Sequence, residues 1–379
     1  MQFKLQESKY LLGILTLSVL GICRAQHAGL PDLDELTDGW NTVAGDGGTV
    51  CADGSSYKFF VRPGSLDKLL IHFAGGGACS NGMTCDADLD PTPYVRNLEN
   101  IDPAVRGGIF DFDNPENPFQ DYSVVFAPYC TGDVHLGDRV RVYRSPTVED
   151  HAGHDVTIHH KGMVNAEYAL NWVYRQFSAL EAVFVAGSSA GAIPSPYFAM
   201  LVAEQYPDAA IGHLADAAGG YRTDENSASP ESASVDEWGA FARLRRLPEF
   251  AELEPGNLNI VRLYEVAAGR FPNVTFAAFD NAEDRVQKAF TGLLLDGDED
   301  VSLLPAIMEN QKEIHDAVIN FRSFIAGGET HTILTLPSFY TLHVDGVRVR
   351  DWVSQLAQFG IVPNVRCSVC DVAQLLPVE

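Results

Sequence analysis

The feature that most constrains this chain is a short apolar run, a five-residue turn and a helix in immediate succession. Ala182-Val183-Phe184-Val185-Ala186 reads as a buried strand, Gly187-Ser188-Ser189-Ala190-Gly191 follows, and residues 192–204 predict a helix with Pro194 and Pro196 near its first turn. Strand, Gly-x-Ser-x-Gly and helix together describe a nucleophile elbow. Its turn is too sharp for side chains at the glycine positions, and it pushes the central hydroxyl, here Ser189, toward the reactants. In a chain with 33 glycines the five residues alone are a weak signal. The competing reading is an ordinary strand-to-helix turn, so partners for the serine decide between the two.

A serine hydroxyl needs a base within hydrogen-bond reach and a group that orients the base. In this arrangement the chain order is serine, then acid, then histidine. Four histidines follow Ser189. His213 sits inside an apolar run, His315 within an amphipathic stretch at 301–318, and His343 alternates with Leu342 and Val344 as in a strand. His331 follows a strand (320–325) and the Gly327-Gly328 turn, where a side chain reaches back across a sheet edge, and is the expected base. Asp216, Asp280 and Asp284 all follow strands, and position alone does not separate them. Asp216, after the strand next to the elbow strand, is expected to line the pocket. For the oxyanion of a tetrahedral intermediate, two sources of amides stand out: Ala190, and the Gly75-Gly76-Gly77 loop after the strand at 68–73. Cys79 and Cys85 just beyond that loop argue for a stapled loop rather than a flexible turn, and the absence of a following Lys-Ser or Lys-Thr pair disfavours a phosphate cradle.

The remaining elements predict strands at 57–62, 123–127, 209–215 and 273–279, and helices at 163–178 and 301–318. Ala166, Ala169, Leu170, Val173 and Phe177 share one face of the first helix. Residues 86–120, rich in Asp, Asn and Pro, read as a surface excursion; 223–237 read as a lid; His159 and His160 read as loop or pocket-wall residues. Strands alternating with helices imply an α/β fold, a mainly parallel sheet with helices on both faces and its site at the carboxyl edge.

Residues 1–25 carry Lys4 and Lys9, an apolar stretch at 11–23 and a small residue at Ala25, which predicts a secretory signal peptide and a single catalytic domain over 26–379. No later segment is long and apolar enough to cross a membrane. The full chain has 26 basic and 51 acidic residues; removing Lys4, Lys9, Arg24 and Glu7 leaves 23 and 50, a net charge of −27. Nucleic acid and anionic membrane surfaces are thereby excluded as partners. Six cysteines remain beyond the leader, an even number that favours disulfides in an exported chain. Zinc or redox readings of Cys367-Ser368-Val369-Cys370 lack a second ligand pair and a suitable helix start.

The segments Phe73-Ala74-Gly75-Gly76-Gly77-Ala78-Cys79 with Cys85, Pro128-Tyr129-Cys130-Thr131-Gly132-Asp133, and Gly187-Ser188-Ser189-Ala190-Gly191 resemble the pectin acetylesterase family, which includes plant pectin acetylesterases and the animal Wnt deacylase Notum. Asp284-Arg285-Val286-Gln287 resembles the Asp-x-x-Gln at that family's catalytic acid, and Thr330-His331-Thr332-Ile333 its histidine segment. The resemblance runs in order through most of residues 50–355. It implies an α/β-hydrolase fold, a metal-free and cofactor-free ester hydrolase, Asp284 as the acid, an oxyanion hole from the Gly76, Gly77 and Ala190 amides, and a Cys79–Cys85 disulfide. Plant members carry Cys in place of Ser188 and Gly in place of Ala192, and the aromatic residue near the glycine loop is replaced by Gly77 and Ala78. The expectation is therefore a secreted, extracellular or periplasmic, serine esterase that removes acetyl or short acyl groups from a carbohydrate such as pectin. Its alternatives are a Notum-like fatty-acyl deacylase and a non-catalytic carbohydrate-binding protein on the same scaffold.

Overall fold

A computed structural model describes residues 30–89, 92–148, 152–221, 236–254, 258–294 and 302–376. The expected signal peptide and most of the expected lid lie outside them. Pro31–Glu379 forms one unit by its internal contacts.

The apolar runs become the strands of a nine-stranded sheet. In chain order the first strands are β1 (Asn41–Ala44), β2 (Lys58–Arg62), β3 (Lys68–Phe73), β4 (Ser123–Ala127), β5 (Arg139–Arg144), β6 (Asp155–His160), β7 (Ala182–Ser188) and β8 (Ala210–Asp216). They continue as β9 (Thr275–Asn281), β10 (Phe321–Ala326), β11 (Leu342–Val344), β12 (Val347–Arg348) and β13 (Val365–Arg366). The large sheet runs β1-β2-β4-β3-β7-β8-β9-β10-β13. From β4 to β13 every pairing is parallel, while β1 and β2 are antiparallel to their neighbours. β5 and β6 pair as a separate antiparallel ribbon.

Every residue of β4 and β7 is buried. That is the signature of parallel strands covered on both faces, and it explains why they read as continuous apolar runs rather than alternating ones. The Gly162–Gln176 helix buries Met163, Ala166, Ala169, Leu170, Trp172 and Val173, the face its spacing predicts. The helix after the elbow begins later than its sequence suggests. A 3-10 turn at Ser189–Gly191 comes first, and the α-helix runs Ser195–Gln205 with Pro in its first turn. It is buried on nearly every face, wedged against β8 and the Ile260–Arg270 helix. Phe198 stacks on Phe73 at 4.3 Å between ring centroids, tying this helix to the end of β3.

Chain connectivity reverses at β3. From β3 the chain steps out to β4, then returns to β7 on the other side of β3. The carboxyl ends of β3 and β7 therefore diverge into separate loops with a crevice between them, the place where open α/β sheets bind ligands. Register aligns these ends: Phe73 lies beside Gly187, and Ser188 beside Asp216.

Two expectations change. The 86–120 segment is not merely a surface excursion, because Leu98, Ile109, Phe110 and Phe119 are buried, and Phe110 packs edge-on against His72 and Phe126. Isolated apolar residues among Asp, Asn and Pro carry no period, so the sequence hid them. His159 and His160 lie on β6 rather than in a loop. His160 is fully buried, its ring nitrogens 3.0 Å from the Thr131 carbonyl oxygen and 2.9 Å from the Tyr143 hydroxyl.

Candidate active site

Ser189 occupies the turn after β7 at φ +54°, a left-handed conformation that costs a non-glycine residue about 1–3 kcal/mol and collects at functional positions. The glycines on either side are required by crowding. A Cβ on Gly187 would stand 2.2 Å from the Gly191 carbonyl oxygen, and one on Gly191 would stand 2.2 Å from the Phe73 carbonyl oxygen. The elbow is thus pressed against the end of β3, and the glycine loop that follows β3 lies directly over the serine.

His331 leaves the loop after β10. Its Nδ1 is 2.8 Å from Asp284 Oδ2, and its Nε2 is buried with no hydrogen-bond partner among the described residues. Ser189 and His331 line one cleft, but no hydrogen bond joins them in this structure. Such bonds are commonly long before substrate binds. Asp284 is fully buried and well satisfied. Its Oδ1 accepts from the amides of Val286 at 2.9 Å and Gln287 at 3.0 Å, in the first turn of the Arg285–Leu294 helix, and its Oδ2 accepts from Gln287 Nε2 at 3.2 Å. These hydrogen bonds fix the carboxylate in place beside the imidazole.

The other two aspartates have different work. Asp280 accepts from the Gly219 amide and from Gln287 Nε2, and burial pushes its pKa up to about 7. Asp216 does not line the pocket as expected. It is fully buried and accepts from the amides of Ile333 and Leu334, each at 2.9 Å, and from the Ser188 hydroxyl at 3.2 Å. Burial pushes its pKa up to about 6, against those hydrogen bonds. The Ser188 hydroxyl also lies 3.0 Å from His72 Nε2. One buried carboxylate therefore ties the residue before Ser189 to the loop carrying His331, where Thr332 is held at φ +63°. Parallel strands bring such distant residues together, and no local sequence pattern announces it.

Gly76 and Gly77 line the cleft beside Ser189, and Ala190 lines a second hollow that also reaches Ser189 and Gly77. The cleft, about 420 Å³, includes Arg106, Thr335 and His331. The hollow, about 170 Å³, is walled by Val134, Leu136, Ile193, Trp238, Leu263 and Phe290, and is predominantly apolar. Sequence reasoning singled out neither Arg106 nor Trp238: the first lies in the supposed excursion, the second at the edge of the supposed lid. Cys79 and Cys85 are joined by a disulfide, and Cys51–Cys130 and Cys367–Cys370 form two more. The Trp238 indole donates to the Cys79 carbonyl at 2.8 Å, so the stapled loop fixes one wall of the hollow. Chemically, a strained serine, a carboxylate-held imidazole and a glycine loop are the parts of an acyl-transfer site.

A family model described as pectinacetylesterase matches residues 40–244, more than half of the chain. It covers the glycine loop and the elbow and ends before Asp284 and His331. The palmitoleoyl-protein carboxylesterase Notum of Schmidtea mediterranea is 31% identical over 100 residues, which are 24% of this chain and 18% of that relative. The match thus spans less than a fifth of the relative's length. The solved structure of the Wnt deacylase Notum from Drosophila matches with a TM-score of 0.61 at 17% identity, covering 88% of this chain and 98% of that one. That likeness establishes the α/β-hydrolase fold.

Proposed function

The chain belongs to the pectinacetylesterase family of carboxylesterases, and from that premise we propose a secreted serine esterase that removes acetyl or short acyl groups from a carbohydrate such as pectin. Ser189 Oγ attacks the ester carbonyl carbon while His331 Nε2 takes its proton, and Asp284 stabilises the imidazolium. The oxyanion is received by the amides of Gly76, Gly77 and Ala190. Collapse of the intermediate breaks the bond to the alcohol, which leaves with the proton from His331. Water, deprotonated by His331, then attacks the acyl-serine; the acyl–Oγ bond breaks, Ser189 Oγ takes the proton back from His331, and the carboxylic acid is released.

The observation that carries this reading is the His331–Asp284 pair, 2.8 Å apart, with the free imidazole nitrogen in the cleft that also holds the strained Ser189. The three disulfides support export, since such bonds persist in oxidising compartments. Residues 26–379 are read as a single catalytic domain after a cleaved leader. Labelling with a fluorophosphonate probe tests the nucleophile: wild type is modified at Ser189, and Ser189→Ala loses both labelling and ester turnover. Full turnover by Ser189→Ala would remove the assignment.

The apolar hollow favours a second reading, a deacylase for longer acyl chains, because aliphatic and aromatic walls gain about 25 cal/mol for each Å² of chain they cover. A series of 4-nitrophenyl esters from acetate to octanoate separates the two. Peak kcat/KM at acetate supports the carbohydrate deacetylase; a peak at octanoate supports the lipid deacylase.

A further inference from the structure

The two hollows that meet at Ser189 differ in chemistry, and an ester has two halves to place. The apolar one suits an acyl chain. The other contains a cation, Arg106, at the end of the 3-10 turn Pro103–Val105. Its guanidinium carbon lies 5.2 Å from the centroid of the Phe126 ring, an attraction that sets its direction without neutralising it. Among the described residues no carboxylate pairs with it. Among the described residues its Nε is buried without an acceptor, and burial lowers its pKa.

The contrast with the rest of the chain is sharp. Elsewhere Arg243 is held by Asp138 and Glu167, and Arg348 and Arg350 share Glu116. A chain with 51 acidic and 26 basic residues has ample carboxylates to supply one more. Desolvating a guanidinium without a counter-ion is costly, and buried charges are ordinarily paired. The arrangement is stable in function when the counter-ion arrives with the ligand, and the planar fork of arginine matches a carboxylate through two parallel hydrogen bonds.

We propose that Arg106 is a specificity-determining residue that receives a carboxylate carried on the alcohol half of the ester, so that acylated acidic sugars are preferred to neutral ones. This rests on the proposed esterase reading of Ser189 and His331. It also answers the difficulty that a strongly acidic protein poses for an acidic substrate: repulsion is spread over the surface, whereas one half-buried cation stands in the cleft.

The test compares kcat/KM for acetylated oligogalacturonides and for acetylated neutral galactose oligomers, in wild type, Arg106→Gln and Arg106→Lys. Losing a charge-assisted hydrogen bond to a carboxylate costs a factor of roughly 10 to 100. The acidic-to-neutral ratio is expected to fall by about that factor in Arg106→Gln and by less in Arg106→Lys. A second measurement needs no variant: galacturonate should inhibit wild type at roughly tenfold lower concentration than galactose, which differs from it only at C6. Equal inhibition by the two sugars, or an unchanged ratio in folded Arg106→Gln, would overturn the assignment of Arg106 and leave the esterase reading intact. Ester turnover surviving in Ser189→Ala would overturn both.

Discussion

Replacing Asp284 by Asn isolates the chemistry of the carboxylate from its structural duty. In the wild type Oδ1 accepts two amides at the start of the Arg285–Leu294 helix, while Oδ2 accepts from His331 Nδ1 at 2.8 Å and from Gln287 Nε2 at 3.2 Å. An asparagine keeps the first oxygen, and Asn caps helix starts as well as Asp does. Its amide group then replaces the oxygen facing His331. An N–H there can only donate, so Nδ1 must become the acceptor and the imidazole proton moves to Nε2. That nitrogen then carries a proton and cannot remove one from Ser189. Gln287 cannot turn to compensate without losing the bond its Oε1 accepts from the Gly220 amide at 2.9 Å. Wrong tautomers of this kind cost about 10⁴ in kcat, or about 5.4 kcal/mol at 1.36 kcal/mol per decade. Thermal unfolding should shift by no more than the few tenths of a kcal/mol expected for an Asp-to-Asn cap. Hydrolysis of 4-nitrophenyl acetate and the rate of fluorophosphonate labelling should fall together. A folded Asp284→Asn enzyme within tenfold of wild type would refute the reasoning and return attention to Asp280.

Gly75→Ala tests the approach of the glycine loop: its Cβ would stand 2.5 Å from Ser189 Cβ and 2.6 Å from the Ser188 carbonyl oxygen. Both contacts are rigid, so kcat should fall by roughly 10² and stability by about 1–3 kcal/mol; an unperturbed labelling rate would contradict this. Replacing Cys51 and Cys130 by Ser opens a bridge between residues 79 apart, worth about 4.5 kcal/mol by loop entropy, visible as a lower urea midpoint. Burial depresses the pKa of His213 to about 3, so it stays neutral in the fold and gains a proton on unfolding at acid pH. Its contribution is complete above the ordinary value near 6.5 and is lost as pH falls toward 3, at about 1.36 kcal/mol per pH unit. In His213→Leu, the decline of unfolding free energy between pH 6 and 4.5 should be shallower by about one proton. An unchanged slope would show that His213 is protonated in the folded protein.

What the sequence determined by itself was local or compositional. Strand, elbow and helix around Ser189 were legible because the turn imposes glycines within five residues, and the mainly parallel sheet was legible because strands covered on both faces read as unbroken apolar runs. His331 was singled out because it follows a strand and a glycine turn. The three aspartates were not separable by position, since each follows a strand; resemblance favoured Asp284, and the tertiary structure brought its carboxylate to His331 across 47 residues of chain. The same packing turned Asp216 inward onto the Ile333 and Leu334 amides, paired Cys51 with Cys130, and buried Phe110 within a stretch that reads as surface. It also left Arg106 without a carboxylate partner among the described residues, in the cleft beside the serine. Such outcomes depend on which groups meet after strands far apart in sequence are laid side by side. Periodicity records which face of an element is buried, but not what lies against it.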